Sequence, residues 1–354
     1  FLAIEERVDG LDQVRLRAPS GDEHRIAFPE ASYTVSLGPN AEPDTTSLRL
    51  HYSSMVTPDT VFDYEVASRR LLTRKVREIP SGYDPADYVT ERLLAPARDG
   101  ALIPVSVVYR KGYPKDGSQP LHCYGYGAYG HAIAPSFSAA RLSLVDRGFA
   151  YAILHIRGGD DLGHRWYQDG KMERRANSFN DFLDGTHHLN ACGFGRPGWN
   201  SASGGSAGGW LMGAVVNAEP ELWRAVVAHV PFVDVLNTML DDSLPLTPGE
   251  FPEWGNPAAD PEAFARLLRL SPYENVAAAD YPAMLVTAGL HDPRVTYWEP
   301  AKWVARLRAA ATGGRPLLLK TNMAAGHGGK SGRFEALRET AEEYAFLLAA
   351  FGMA

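Results

Sequence analysis

The rhythm of apolar positions changes near residue 80. Before it, apolar residues come in short alternating runs. Residues 47–54 carry Leu48, Leu50 and Tyr52 on one side. The turn signal Thr57-Pro58-Asp59 precedes a second run over 60–66, and Ser68-Arg69-Arg70 a third over 71–76. Short strands at close, regular spacing predict a sandwich, a barrel or propeller blades for residues 1–79. At roughly 40–45 residues per propeller blade this segment amounts to about two blades. No clean internal repeat chooses among the three. Residues 79–87, with Pro80, Gly82 and Pro85, read as a linker.

After the linker, strands alternate with helices. The pattern predicts strands over 102–109, 121–124, 149–156, 225–230, 284–288 and 317–320. It predicts helices over 137–147, 179–191 (weakened by Gly185), 299–311 and 334–351. Such alternation implies an α/β domain over residues 80–354, with a mainly parallel sheet covered on both faces. In the last helix, Leu337, Ala341, Tyr344, Leu348 and Phe351 recur at helical spacing, so that helix is expected to cover the sheet.

Candidate chemistry starts at Gly204-Gly205-Ser206-Ala207-Gly208-Gly209, which contains Gly-x-Ser-x-Gly. In an α/β hydrolase this pattern is a sharp turn that lifts the serine Oγ above the sheet edge. Residues 199–203 supply the incoming strand, although Asn200, Ser201 and Ser203 make it unusually polar. Residues 207–217 supply the outgoing helix. A glycine-rich loop holding a serine reads the same way over this stretch alone. A free serine hydroxyl is a weak nucleophile and requires a general base. The hydrolase triad runs Ser, then Asp or Glu, then His, with the partners at strand ends. Asp292 follows the strand at 284–288, and His327 follows the strand at 317–320. Order and position make Ser206, Asp292 and His327 the expected triad. His291 has no second ligand at metal spacing, and His187-His188 lies in a helix body, so no metal site is expected.

Composition narrows the class. The chain has 354 residues, 45% of them hydrophobic, and a net charge of -7, which argues against nucleic acid as a partner. Arg74-Lys75-Val76-Arg77 reads as a solvated strand end. Two cysteines, Cys123 and Cys192, form no metal or redox spacing and suit a reducing, cytoplasmic setting. No apolar run is long enough for a membrane span and no signal peptide is seen. The first residue is Phe1, so the sequence reads as starting inside a longer chain.

Taken together, these motifs resemble the prolyl oligopeptidase family of serine peptidases, its oligopeptidase B branch in particular. The resemblance rests on the serine motif, on Gly289-Leu290-His291-Asp292 and on residues 326–333 around His327. Further matches are Tyr124-Gly125-Tyr126-Gly127, residues 230–235, Glu253-Trp254-Gly255-Asn256-Pro257 and residues 297–303. It covers nearly all of residues 80–354, with shorter matches at 52–55 and 57–60. The resemblance implies an α/β-hydrolase domain capped by a propeller, of which residues 1–79 would be the last blades. It implies no cofactor, oligopeptide substrates, and an acyl-enzyme on Ser206.

It also assigns an oxyanion hole to the Tyr126 hydroxyl and the Ala207 amide. A preorganised donor of that kind is worth roughly 3–4 kcal/mol of barrier. Glu250 matches the carboxylate with which oligopeptidase B receives Arg or Lys, and a buried carboxylate suits a cationic side chain. Trp254 and Tyr129 match aromatic pocket positions, on which a guanidinium can stack, and Val295 an apolar one. Arg294 lies near an arginine that prolyl oligopeptidases use on a substrate carbonyl. It would either do that here or neutralise Glu250.

Three departures stand out. Pro252 occupies the place of a second acidic residue. Ala134 and Ser136 replace the acidic pair for a basic second residue. Asp160-Asp161 follow Arg157-Gly158-Gly159 where the family has a third glycine and a glutamate. The first two weaken the expected preference for basic and paired basic residues. The competing expectations are prolyl oligopeptidase, acylaminoacyl peptidase or esterase activity on the same fold, or an inactive fragment that only binds.

Overall fold

Seven strands occupy the first 76 residues of the computed structural model, which describes residues 1–353. β1 (Leu2–Val8), β2 (Leu11–Arg17) and β3 (Glu23–Arg25) form one antiparallel sheet. β4 (Tyr33–Leu37), β5 (Ser47–Ser54), β6 (Thr60–Glu65) and β7 (Arg70–Val76) form a second, four-stranded one. Leu48, Leu50 and Tyr52 do share the buried side of β5, packed with Val14, Leu16, Ile26 and Tyr64.

The remaining strands make one eight-stranded sheet. They are β8 (Tyr88–Pro96), β9 (Leu102–Arg110), β10 (Leu121–Tyr124), β11 (Ala150–Leu154), β12 (Asn200–Gly205), β13 (Trp223–His229), β14 (Ala283–Gly289) and β15 (Leu317–Asn322). Their order is β15-β14-β13-β12-β10-β11-β9-β8. β10 to β15 pair in parallel, and β8 and β9 run antiparallel at one end. The helices are α1 (Ala139–Val145), α2 (His164–Gln168), α3 (Ala176–Ala191), α4 (Ala207–Ala218), α5 (Val235–Leu240), α6 (Thr247–Trp254), α7 (Pro261–Leu270), α8 (Trp298–Ala310) and α9 (Arg333–Phe351). Apolar side chains fill both faces of the sheet, as parallel pairing under helices requires.

Local sequence explains most of these elements. Gly185 weakens α3 by propensity, yet a Cβ there would sit 2.6 Å from Leu154 Cδ2, so the helix needs the glycine to lie on β11. The polarity of β12 also has a partner. His122 on β10 is fully buried and bridges Ser201 Oγ and Ser203 Oγ, each at 2.9 Å. Burial pushes this imidazole down to about 4, so it stays neutral, one nitrogen donating and the other accepting.

One expectation fails in part. Leu337 and Ala341 do not cover the sheet: both are exposed, Leu337 by 50%, and only the C-terminal half of α9 buries Leu347 and Phe351. The first turns of α9 instead turn Ala336, Glu339, Thr340 and Glu343 toward a cavity behind the His327 loop. The helices α5 to α7 and strand β8 lie outside the elements predicted from the sequence; α5 has only six residues and α6 carries Pro252 inside it.

The two parts of the chain meet through buried polar and apolar contacts. Ser32 hydrogen-bonds Ser106 on β9 at 2.6 Å, and Ser106 bonds His155, whose other ring nitrogen meets Asp161 at 2.9 Å. Asp160 pairs with Arg7 at 2.8 Å. The Asp160-Asp161 departure therefore supplies both acids of this junction. Met55 and Val56 pack into the same cluster as Leu144 and Phe149.

Candidate functional site

Ser206 stands between β12 and α4 with φ +57° and ψ −117°. For a side chain other than glycine this backbone is strained, and such strain persists only where the surroundings enforce it. The enforcement is visible. The Ser206 N–H donates to the His229 carbonyl at 2.9 Å, and its carbonyl accepts from Gly209 and Phe232. A Cβ at Gly204 would meet the Gly208 carbonyl oxygen at 2.5 Å, and one at Gly209 would meet Pro231 at 2.4 Å. Only glycines let strand, helix and neighbouring loop approach this closely. Ala207 is the first helical residue, so its N–H has no intrahelical acceptor.

His327 and Asp292, 35 residues apart, come together. His327 Nδ1 lies 2.7 Å from Asp292 Oδ2. The Asp292 side chain is fully buried, and its Oδ1 accepts the backbone N–H groups of Arg294 and Val295. The loops carrying the pair touch: a Cβ on Gly289 would lie 2.6 Å from the Gly326 oxygen. No hydrogen bond joins Ser206 Oγ to His327 among the described residues. Ser206 lines one cavity and His327 another. Such bonds are often long before substrate arrives.

The cavity beside Ser206 has a volume of about 340 Å³. Tyr126, Tyr129, Ala207, Glu250, Trp254, Arg294 and Val295 all line it, so the structure gathers every pocket residue read from the sequence. Trp254 and Val295 are buried there, and the Tyr129 ring stands edge-on to Trp254 at 5.2 Å. The Tyr129 hydroxyl donates to Glu250 Oε2 at 2.8 Å. Glu250 is half-buried, and that burial pushes its carboxyl above the usual range. Among the described residues it has no cationic partner. Arg294 lines the same cavity but does not neutralise it. Pro252 lies on the exposed side of α6.

Sequence reasoning missed part of the wall. Phe232, Thr238, Met239, residues 244–247 and Glu299 also line the cavity. Glu299 is fully buried and accepts from the N–H groups of Val233 and Asp234 and from the Thr238 hydroxyl at 2.6 Å. Burial pushes its carboxyl up to about 7 against those three donors. Its only signal in the sequence was membership of the motif at 297–303.

A serine on a strand-to-helix elbow, in a mostly parallel sheet covered by helices, defines an α/β hydrolase, here preceded by two antiparallel sheets. Comparison with known proteins carries this further. The prolyl oligopeptidase family model matches residues 135–354, and the model of that family's N-terminal β-propeller domain matches residues 1–77. The chain belongs to the prolyl oligopeptidase family of serine peptidases.

Among curated relatives, dipeptidyl aminopeptidase BI of Pseudoxanthomonas mexicana is 46% identical over 100% of this chain and 49% of its own length. Protease 2 of Moraxella lacunata is 43% identical over 99% of this chain and 51% of its own. Oligopeptidase B from Leishmania major superposes with a TM-score of 0.91 at 39% identity, over 99% of this chain and 50% of that one. Oligopeptidase B from Trypanosoma brucei, with covalently bound antipain in a closed form, gives 0.90 at 41%, over 99% of this chain and 51% of that one. The chain thus spans about half the length of the relatives it matches. Among the described residues no helix is long and apolar enough to cross a membrane.

Proposed function

We propose that this chain carries the catalytic part of a serine oligopeptidase that cleaves short peptides after Arg or Lys. Glu250 carries the reading: a half-buried carboxylate, oriented by Tyr129 and lacking a cation, lies in the cavity that Ser206 lines. A guanidinium or ammonium entering that cavity supplies the missing charge, and Trp254 and Tyr129 offer faces for the side chain.

In the proposed reaction His327 Nε2 takes the proton of Ser206 Oγ as Oγ attacks the scissile carbonyl carbon. Asp292 holds the imidazole through Nδ1 and stabilises its charged form. The Ala207 N–H and the Tyr126 hydroxyl receive the oxyanion. The imidazolium then protonates the leaving amine as the C–N bond breaks. Water, deprotonated by the same imidazole, attacks the acyl carbon, and the imidazolium returns the proton to Ser206 Oγ as the acyl C–Oγ bond breaks.

Matched chromogenic peptides ending in Arg, Lys or Pro, together with a simple ester, test the reading. Hydrolysis after Arg and Lys is the expected result; hydrolysis only after Pro, or only of the ester, removes the basic pocket. Within this reaction Tyr126→Phe is expected to lower kcat about 100-fold with KM little changed, because the lost donor acts on the oxyanion rather than the bound carbonyl. An unchanged kcat rejects Tyr126 as a donor. Release of dipeptides is a second reading, favoured by the similarity to a relative named dipeptidyl aminopeptidase. Blocking the substrate's α-amino group separates the two, since only dipeptide release requires that group free.

A further inference from the structure

The loop after β10, residues 125–130, carries both Tyr126 and Tyr129, and its backbone is unusual. Gly127 has φ +69°, Tyr129 φ +58° and Gly130 φ +66°. Glycine adopts such angles freely, but Tyr129 does so against its own side chain. Something outside the loop must hold it.

Two buried charged groups are in place to do so. Glu253 on α6 is 5% exposed, and its Oε1 accepts the Tyr129 N–H at 2.8 Å. Its Oε2 accepts the Tyr167 hydroxyl, which in turn receives Lys171. From the other side, Arg175 Nη1 donates to the Gly127 carbonyl. Arg175 is 1% exposed, and its guanidinium lies 4.9 to 5.1 Å from the ring centroids of Phe179, Trp210 and Trp254. One peptide N–H and one peptide carbonyl, two residues apart, are therefore gripped by an anion and a cation from the protein interior. Two such contacts set how the peptide planes of residues 126–129 are rotated. That rotation places Tyr126 in the wall of the cavity that Ser206 lines and brings the Tyr129 hydroxyl to Glu250.

We propose that Glu253 is a positioning residue for catalysis and for selection of the residue before the scissile bond. It acts by holding the Tyr129 amide, and Arg175 anchors the other end of the same loop. This deepens the peptidase reading and rests on it for the kinetic consequences. Glu253 also compensates the buried Arg175 charge, so a deletion would mix two effects. The conservative pair separates them. Glu253→Gln keeps an acceptor for the Tyr129 N–H and loses the charge; the Tyr167 hydroxyl then turns from donor to acceptor. Glu253→Asp keeps the charge and withdraws the acceptor by one methylene.

Two readouts follow in the full 354-residue chain. The first is hydrogen exchange of the amides of residues 125–130, which requires no turnover. Exchange in Glu253→Asp should be faster by about tenfold or more, and in Glu253→Gln it should stay close to the parent. The second is kinetics on Arg and Ala peptide substrates, normalised to sites titrated with a fluorophosphonate. Per titrated site, Glu253→Asp should lower the Arg-over-Ala ratio of kcat/KM about tenfold and lower kcat as well, while Glu253→Gln keeps the ratio within about threefold.

Spared exchange and selectivity in the Asp variant would overturn the proposal. So would equal losses on every substrate in both variants, or a Gln variant without titratable sites, because each makes charge or general stability the requirement. A parent chain that hydrolyses nothing would count against the peptidase reading, and the exchange experiment would still decide whether Glu253 holds the loop.

Discussion

Ser206→Ala is expected to lower kcat for an Arg peptide by about 10⁶-fold, the scale seen when the nucleophile of a serine triad is removed. The loss falls on kcat because Oγ forms the covalent bond, while the pocket that binds substrate keeps Glu250, Trp254 and Val295. Labelling by a fluorophosphonate should vanish with it. Stability should barely move, since Ser206 is anchored through its backbone to His229, Gly209 and Phe232 rather than through Oγ. Ser206→Gly offers a further check: the same loss of activity with a gain of about 1 kcal/mol, because glycine relieves the positive φ of the elbow. Thermal melts and active-site titration read both. Residual hydrolysis in Ser206→Ala within about 100-fold of the parent would mean that another group carries the chemistry.

The second large effect concerns Glu250. Glu250→Ala should lower kcat/KM for an Arg substrate about 10³-fold, the cost of leaving a buried, hydrogen-bonded charge without its partner. An ester or an Ala peptide has no cation to lose and should change by less than about threefold. The pH dependence adds an independent sign. A carboxylate binds a cation only when ionised, and burial raises this one above its usual range. Activity on Arg substrates should therefore fall as pH drops through that raised value, at a higher pH than an ordinary glutamate would impose. The acid limb should appear in kcat/KM, which reports the free enzyme, and weaken in kcat, where the bound cation holds the carboxylate ionised. Glu250→Gln should remove the limb. Equal pH profiles for Arg and Ala substrates would show that Glu250 does not meet the cation.

The fluorophosphonate and substrate experiments also separate the alternatives raised by sequence. An esterase or acylaminoacyl peptidase would keep its activity in Glu250→Ala, and a fragment that only binds would leave Ser206 unlabelled.

Much of the candidate site could be read from the chain because its determinants are local. Gly204 to Gly209 spell a turn that few other residues allow. The order of Ser206, Asp292 and His327 follows from where strands end, and strand ends follow from runs such as 284–288. The two-part organisation showed as a change of apolar period, a property of neighbours a few residues apart. The blades became a propeller only through resemblance, because strand spacing suits several β architectures equally.

What only the tertiary structure decided is which polar groups are buried and what meets them. His122 and Ser201 are 79 residues apart, Tyr129 and Glu253 124 apart. Nothing within ten residues of Glu253 marks it off from Glu250 as the acid that turns inward. The same holds for Arg294, where only the cavity showed that Glu250 is left without a cation. The Leu337 stripe failed for this reason too: periodicity names a face of a helix, but over the first turns of α9 that face, with Leu337 and Ala341, is left exposed while Ala336, Glu339, Thr340 and Glu343 line a cavity. Backbone turns and apolar periods are set by adjacent residues. Burial, charge compensation and hydrogen-bond partners depend on distant segments that meet only once the sheet and its helices have assembled.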